Sequence, residues 1–387
     1  MMNNTKFKQQ LLEWRHYLHK YPETAFEESK TSAYIAQELK KMGLEVHENI
    51  GTTGIVANLT VGDGKGIIGL RADMDALNLQ EIKDLPYRSE HQGKMHACGH
   101  DGHMTTLLGA AQLLATRKNF NGTVRFIFQP AEEIGKGAQA MMDDQLFERF
   151  PVDEIYGLHN MPGLPAGTIH TKPGPIMASE DNFIIRIKGK GAHSSSPHMG
   201  TDPLVIAAEI ILALQTVVAR NLDPLQTAVV SCTEIHSDGI RNAIPSNVEI
   251  KGDTRSFTPE VQKLLEERMR SLCEGICAMH GAECEFDYTH EFSPTINWDK
   301  CNEVTTLAAK NIVGEEKTNS DCTPIMASED FGKFIEKIPG CFVFLGSKVE
   351  GEDVIPLHNS LYDYNDEIIE TGAEFFAEII KLSLAKE

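Results

Sequence analysis

Short apolar runs alternate with longer stretches of helical periodicity through the first half of the chain. Residues 56–61, 66–71, 123–129 and 154–158 are runs bounded by glycine or polar residues, and each predicts a strand. The run at 66–71 and the core of the third (Val124-Arg125-Phe126-Ile127-Phe128) are suited to buried strands. Segments 5–20, 27–42 and 102–117, and one beginning at 137, predict helices. Gly43 caps the second, and the third is apolar at Leu107, Leu108, Ala111, Leu114 and Ala115. This order implies an α/β core with a mixed, mostly parallel sheet. In such sheets reactive groups gather beyond the carboxyl ends of strands. Asp73, Asp75, Glu132, Glu133 and His159 all follow predicted strand ends.

The pattern changes near Pro173-Gly174-Pro175. A strand at 182–188, a helix at 202–220, strands at 227–234 and 247–255, a helix at 259–280 and a strand at 284–288 follow in order β-α-β-β-α-β. This is the ferredoxin-like arrangement. After residue 291 the α/β pattern returns, with helices near 302–312, 330–337 and 366–384 and a strand at 341–345. The expected organisation is a catalytic domain in two parts, 1–178 and 291–387, with a ferredoxin-like α+β lid or dimerisation domain inserted at 179–290. Pro-Ile-Met-Ala-Ser-Glu-Asp occurs at 175–181 and again at 324–330. The flanks differ, so the two copies are read as unrelated turns.

Composition narrows the function. The 387 residues carry 36 Lys+Arg against 56 Asp+Glu, a formal charge of −20. Such acidity argues against nucleic acid, whose phosphates are bound by basic residues. No run of about 18 apolar residues predicts a membrane span, and no apolar segment follows Met1-Met2-Asn3-Asn4-Thr5-Lys6 as in a secretory signal. The eight cysteines are scattered, which fits reduced thiols in a cytoplasmic protein.

The densest chemistry is His96-Ala97-Cys98-Gly99-His100-Asp101-Gly102-His103. A polar loop capping the next helix would explain one of these histidines, but hardly the whole cluster. Cys98 and His100 offer a thiolate and an imidazole, which suit zinc and similar metals. Asp75 or Asp101 is expected to orient His100 from behind. Adjacent Glu132 and Glu133 would repel one another unless a cation or proton intervenes. They suggest a split of roles, one carboxylate on a metal and the other near its water. His159 and His358 are weak signals alone. Spacing by itself points to a metalloenzyme and says little of the substrate.

The ordered set of motifs resembles the M20 metallopeptidase family over nearly the whole chain. It comprises Arg15-His16-Tyr17-Leu18-His19-Lys20-Tyr21-Pro22-Glu23, Leu70-Arg71-Ala72-Asp73-Met74-Asp75-Ala76-Leu77, the segment 95–103, Gln129-Pro130-Ala131-Glu132-Glu133, Gly189-Lys190-Gly191-Ala192-His193, Ser328-Glu329-Asp330-Phe331 and Leu357-His358-Asn359. Within the family it is similar to the amidohydrolase subgroup of hippurate hydrolases, N-acetyl-diaminopimelate deacetylases and auxin-conjugate hydrolases. The resemblance implies two divalent metal ions (zinc, manganese, cobalt or nickel) held by Cys98, His100, Glu133, His159 and His358. It implies Glu132 as general base and acid on a metal-bridging water, and His193 as a lid histidine reaching the site of a partner subunit. It places Asn242 and Arg255 at the substrate carboxylate, although a structural ion pair would also account for Arg255. The implied activity is hydrolysis of N-acyl-L-amino acids in a cytoplasmic homodimer or higher homo-oligomer. The alternatives are an aminopeptidase or dipeptidase on the same metal core, a thiol hydrolase using Cys98, and a metal- or partner-binding module without activity, which would show broken ligands or lack Glu132.

Overall fold

The computed structural model describes residues 4–386. Residues 1–3, part of the N-terminal reading above, lie outside them. The chain forms two compact units. The first comprises the chain up to Ile176, Ile296–Thr323 and the chain from Asp330; the second comprises Met177–Thr295 and Pro324–Glu329.

The first unit is built on an eight-stranded mixed sheet. Its order is Glu45–Ile50, Gly54–Val61, Gly122–Gln129, Ile67–Asp73, Glu154–Pro165, Gly340–Lys348, Ile169–His170 and Thr318–Asn319. The middle strands, from Gly122–Gln129 to Gly340–Lys348, run parallel. The strands at 45–50 and 54–61 are added antiparallel at one side. The strand Glu45–Ile50 has no predicted counterpart, because its sequence Glu-Val-His-Glu-Asn-Ile lacks an apolar run. The strand predicted to stop before His159 continues to Pro165, since its parallel partner carries the ladder on, pairing Phe344 with His159 and Lys348 with Pro165.

Helix His100–Arg117 is the buried pillar of this unit, enclosed by Asn4–Lys20 and Ile369–Ser383. Met104, Leu107, Leu108, Ala111 and Leu114 are wholly inside, each of the leucine and methionine side chains contributing roughly 1.5–3 kcal/mol by leaving water. Gly109 lets the three helices approach: a Cβ there would lie 2.8 Å from Leu11 and 3.0 Å from Ala373.

Beneath this pillar runs a buried ionic network. Arg15 bonds Asp363 at 2.9 Å, Asp366 at 2.7 Å and, at 3.5 Å, Asp101. His19 joins Asp101 at 2.7 Å to Glu81 at 3.1 Å. Burial opposes charge on His19, but the two carboxylates outweigh it and raise its pKa to about 9. The unfolded value is roughly 6.5, so the stabilisation is complete below that pH and disappears as pH rises through about 9, a contribution of order 3 kcal/mol. In urea unfolding of metal-loaded protein across this window, the stability of the parent relative to His19→Gln is expected to fall as pH rises. Equal slopes in both proteins would refute the linkage.

The second unit has four strands in the order Ala228–Ser237, Asn247–Ser256, Glu180–Lys188 and Glu283–Phe292. Every neighbouring pair is antiparallel. Phe183, Ile185 and Ile187 alternate inward and pack with Ile206, Ile210 and Leu214 of helix Pro203–Thr216 and Leu265 and Met269 of helix Pro259–His280. Both helices begin with a capping side chain before proline: Asp202 accepts from Leu204 N and Thr258 from Val261 N. The stretch Pro203–Asn221 has a mean hydropathy of 1.7, the one described segment long and apolar enough to cross a membrane. Ile206, Ala207, Ile210, Leu214 and Val217 within it pack into this unit's core.

The repeated heptapeptides are not unrelated. Met177 bridges Ile325 in parallel, and Ala178 N donates to Ile325 O and Ala327 O, both at 3.1 Å. Each copy ends in a buried aspartate: Asp181 receives Gln262 and His290, while Asp330 receives Arg71, Gln129 and the Ala138 amide. Strand-type pairing between distant copies leaves no signature in the flanks, which is why the sequence comparison missed it.

Candidate metal centre

Three parallel strands deliver the candidate residues to one end of the first unit's sheet. Asp73 is the last residue of Ile67–Asp73, Glu132 and Glu133 follow Gly122–Gln129, and His159 lies within Glu154–Pro165. Cys98 and His100 sit where a loop enters helix His100–Arg117. Gly99 makes that entry with φ 99°, and a Cβ there would lie 2.3 Å from Asn160 Oδ1. His358 comes from a distant loop, but its amide donates to Ala97 O at 2.8 Å, tying it to the Cys98 segment.

All five expected ligands converge. Cys98 Sγ lies 3.4 Å from His159 Nε2, and His358 Nε2 lies 3.3 Å from Glu133 Oε2. His100 Nε2 is 3.9 Å from both Glu132 Oε2 and Glu133 Oε1. Around the expected ligands, donor atoms fall within 4.8 Å of one another in three overlapping sets: Cys98 with His100 and His159, Cys98 with Glu133 and His358, and His100 with Glu132 and Glu133, while a further set joins Glu132 to Glu329 and Asp330. His100 Nε2 and Glu133 Oε1 are buried with no hydrogen-bond partner among the described residues. Orphaned buried groups are costly. Thiolate, imidazole and carboxylate donors aimed at one another suit divalent cations. The neighbouring set Asp73, His100 and His103 also clusters, but His103 is already satisfied by Asp73 at 2.7 Å and Asn160 at 2.6 Å.

The imidazoles are aimed from behind. His100 Nδ1 donates to Asp75 O at 2.8 Å and His159 Nδ1 to Asn160 O at 2.8 Å, which leaves each Nε2 facing the cluster. The Asp75 carboxylate instead receives the Glu132 and Glu133 amides at 2.9 and 3.0 Å. Asp101, expected from sequence as an alternative partner for His100, turns away to His19 and Arg15. Asp75, one of the two partners expected for His100, does orient it, through its backbone carbonyl, whereas the Asn160 carbonyl behind His159 had no signal in the sequence.

Burial and neighbouring charge set the proton affinities. Burial opposes charge on His100, yet Asp73, Asp75 and Glu133 hold its pKa near 10. Burial lifts the Glu133 carboxyl to about 7 despite His100. The Cys98 thiol is pushed far up by burial and by Glu133 and Glu132. His159 is pushed down by burial and by His103. A cation must displace protons from Cys98 and His100 to bind here.

The remaining expected residues belong to the second unit. His193 is exposed in the short strand Ala192–His193, paired with Ala243–Ile244, and its Nδ1 meets Ser195 Oγ at 2.8 Å. Asn242 is exposed beside it, its carbonyl accepting from Ser194 N at 3.1 Å. Arg255 is engaged by Glu180 at 2.7 Å, Asp253 at 3.0 Å and Ser328 at 2.5 Å.

Comparison with known proteins agrees with this geometry. The description Peptidase family M20/M25/M40 matches residues 69–382. A hippurate hydrolase from Campylobacter jejuni is 42% identical over 365 residues, 94% of each chain. An N-acetylcysteine deacetylase from Bacillus subtilis is 38% identical over 387 residues, 99% of each chain. The crystal structure of a dinuclear metal-binding M20 peptidase from Bacillus subtilis superposes with a TM-score of 0.86 at 35% identity, covering 98% of this chain and 99% of its own. With donors of the right chemistry converging on these motifs, the chain belongs to peptidase family M20/M25/M40.

Proposed function

We propose that this chain is a metal-dependent amidohydrolase that cleaves N-acyl-L-amino acids to a carboxylic acid and a free amino acid. The observation that carries the proposal is the convergence of Cys98, His100, Glu133, His159 and His358, with the Glu132 carboxylate beside them. These five residues would hold two divalent ions, drawn from zinc, manganese, cobalt and nickel. When bound, such ions polarise the scissile carbonyl and ease deprotonation of water. Glu132 takes the proton from the attacking water and returns it to the amine nitrogen as that nitrogen departs. His193, reaching the site of a partner subunit, supplies a donor to the developing oxyanion there, and Asn242 and Arg255 are assigned to the substrate carboxylate. The hippurate hydrolase and N-acetylcysteine deacetylase relatives support the N-acyl class. A panel of N-benzoyl- and N-acetyl-L-amino acids against free dipeptides, with each metal in turn, tests it. Faster turnover of dipeptides would overturn the substrate assignment.

The second unit, taken as residues 179–290, is assigned as lid and dimerisation domain. Helix Pro203–Thr216 supports this by leaving Val205 60% and Leu212 72% exposed. Val205→Glu with Leu212→Glu is expected to convert a homodimer to monomer in light scattering, and an unchanged mass would exclude that surface. Eight free thiols support a reducing, cytoplasmic compartment.

A further inference from the structure

The turn that carries Glu132 is held by two buried carboxylates, Asp75 and Glu28, and only Asp75 lies in one of the chain's motifs. Three consecutive amides, those of Ala131, Glu132 and Glu133, are captured in sequence. Asp75 takes the second and third. The first, Ala131 N, donates at 2.9 Å to Glu28 Oε1, from a residue 103 positions earlier. Glu28 is fully buried, and its other oxygen accepts from Thr53 Oγ1 at 2.6 Å.

Two further observations give this contact weight. Glu28 is the N-cap residue of helix Ser29–Lys41, yet its side chain makes no bond to that helix. Glu23 does the capping, accepting from Lys30 N at 2.8 Å and Thr31 N at 2.9 Å, so the Glu28 carboxylate is turned away from its own helix and onto the turn. Ala131 meanwhile adopts φ 52°, the left-handed region, while fully buried. That conformation costs an L-residue roughly 1–2 kcal/mol and persists only where its surroundings hold it. The Ala131 carbonyl closes the other side, accepting from Gly137 N at 3.0 Å.

We infer that Glu28 is a positioning residue for the proposed reaction: by holding Ala131 left-handed it aims the Glu132 carboxylate. The inference rests on Glu132 as the base. Without Glu28 the Ala131 amide is orphaned, the left-handed strain is unopposed, and the turn relaxes by moving the next residue. Misplacement of about 1 Å can cost on the order of 10²-fold in rate.

The test uses the full-length, metal-loaded protein and N-acyl-amino-acid hydrolysis. Glu28→Leu is expected to lower kcat by about 10- to 100-fold, with KM and metal stoichiometry nearly constant. Glu28→Gln keeps an acceptor for Ala131 N and an amide donor for Thr53, so it should lose clearly less. Adding Ala131→Gly to Glu28→Leu removes the strain and should recover part of kcat, which restored packing alone would not do. Glu28→Leu with the kcat of the parent, or a loss that follows metal content instead of kcat, overturns the positioning role. So does the absence of any recovery with Ala131→Gly. If Glu28→Leu does not fold, Glu28→Ala, which also removes the acceptor for Ala131 N, carries the same comparison with Glu28→Gln: the role requires a fall in kcat at full metal content that Glu28→Gln largely avoids, and no fall overturns it. Glu132→Gln is assayed in parallel. An active Glu132→Gln would defeat the base assignment itself, whereas an inactive Glu132→Gln beside a fully active Glu28→Leu defeats only the positioning.

Discussion

Replacing Glu132 with glutamine is expected to lower kcat by about 10²–10⁴-fold, the range that proton transfer by a positioned side chain supplies. Glutamine keeps the volume and the backbone bond from Glu132 N to Asp75, so the turn should survive. What disappears is the basic oxygen 3.9 Å from His100 Nε2. The neighbour provides the contrast. Glu133 faces His358 at 3.3 Å and joins the Cys98 set, so Glu133→Gln should lose metal as well as rate. Elemental analysis after desalting, set beside kcat for both variants, separates the roles. Full turnover by Glu132→Gln at full occupancy would remove Glu132 as the base, and equal metal loss by both would mean that the two carboxylates share one role.

Much of this site was legible in the sequence because its residues follow apolar runs. Asp73, the Glu132–Glu133 pair and His159 each sit on or just after a parallel strand, and buried parallel strands announce themselves as continuous hydrophobic segments. The Cys98–His103 cluster was legible through sheer density. What stayed hidden depends on long-range pairing. The edge strand Glu45–Ile50 is charged because it has solvent to face. Arg15 and His19 meet Asp101, Asp363 and Glu81 across 62 to 348 positions, and no local period records such contacts. Glu28 falls within the helix predicted at 27–42 as an ordinary acidic residue, and only the fold shows its carboxylate spent on another turn. The heptapeptide repeat shows the reverse failure. The repetition was visible, but pairing of Met177 with Ile325 could be learned only from the backbone.

Cys98→Ser is expected to weaken metal binding by more than the roughly 10–100-fold that loss of an outer-shell partner costs. Cys98 belongs to two of the five donor sets, and a hydroxyl is a poorer and harder ligand than a thiolate. The protons sharpen the test. In the metal-free cluster burial and the two glutamates keep the Cys98 thiol protonated, and the carboxylates around His100 hold its pKa near 10. Both groups must surrender a proton to a cation, so at pH 8 affinity should rise with pH by up to about two log units per pH unit. Below pH 7 the Glu133 carboxyl, raised to about 7 by burial, steepens the dependence further. Cys98→Ser removes one titrating ligand and should cut the slope at pH 8 by about one. Calorimetric titration with zinc or manganese in buffers of differing ionisation enthalpy counts those protons directly. A serine variant that binds as tightly as the parent, or that releases the same number of protons, would show that the thiol is not a ligand, whatever its distance from His159.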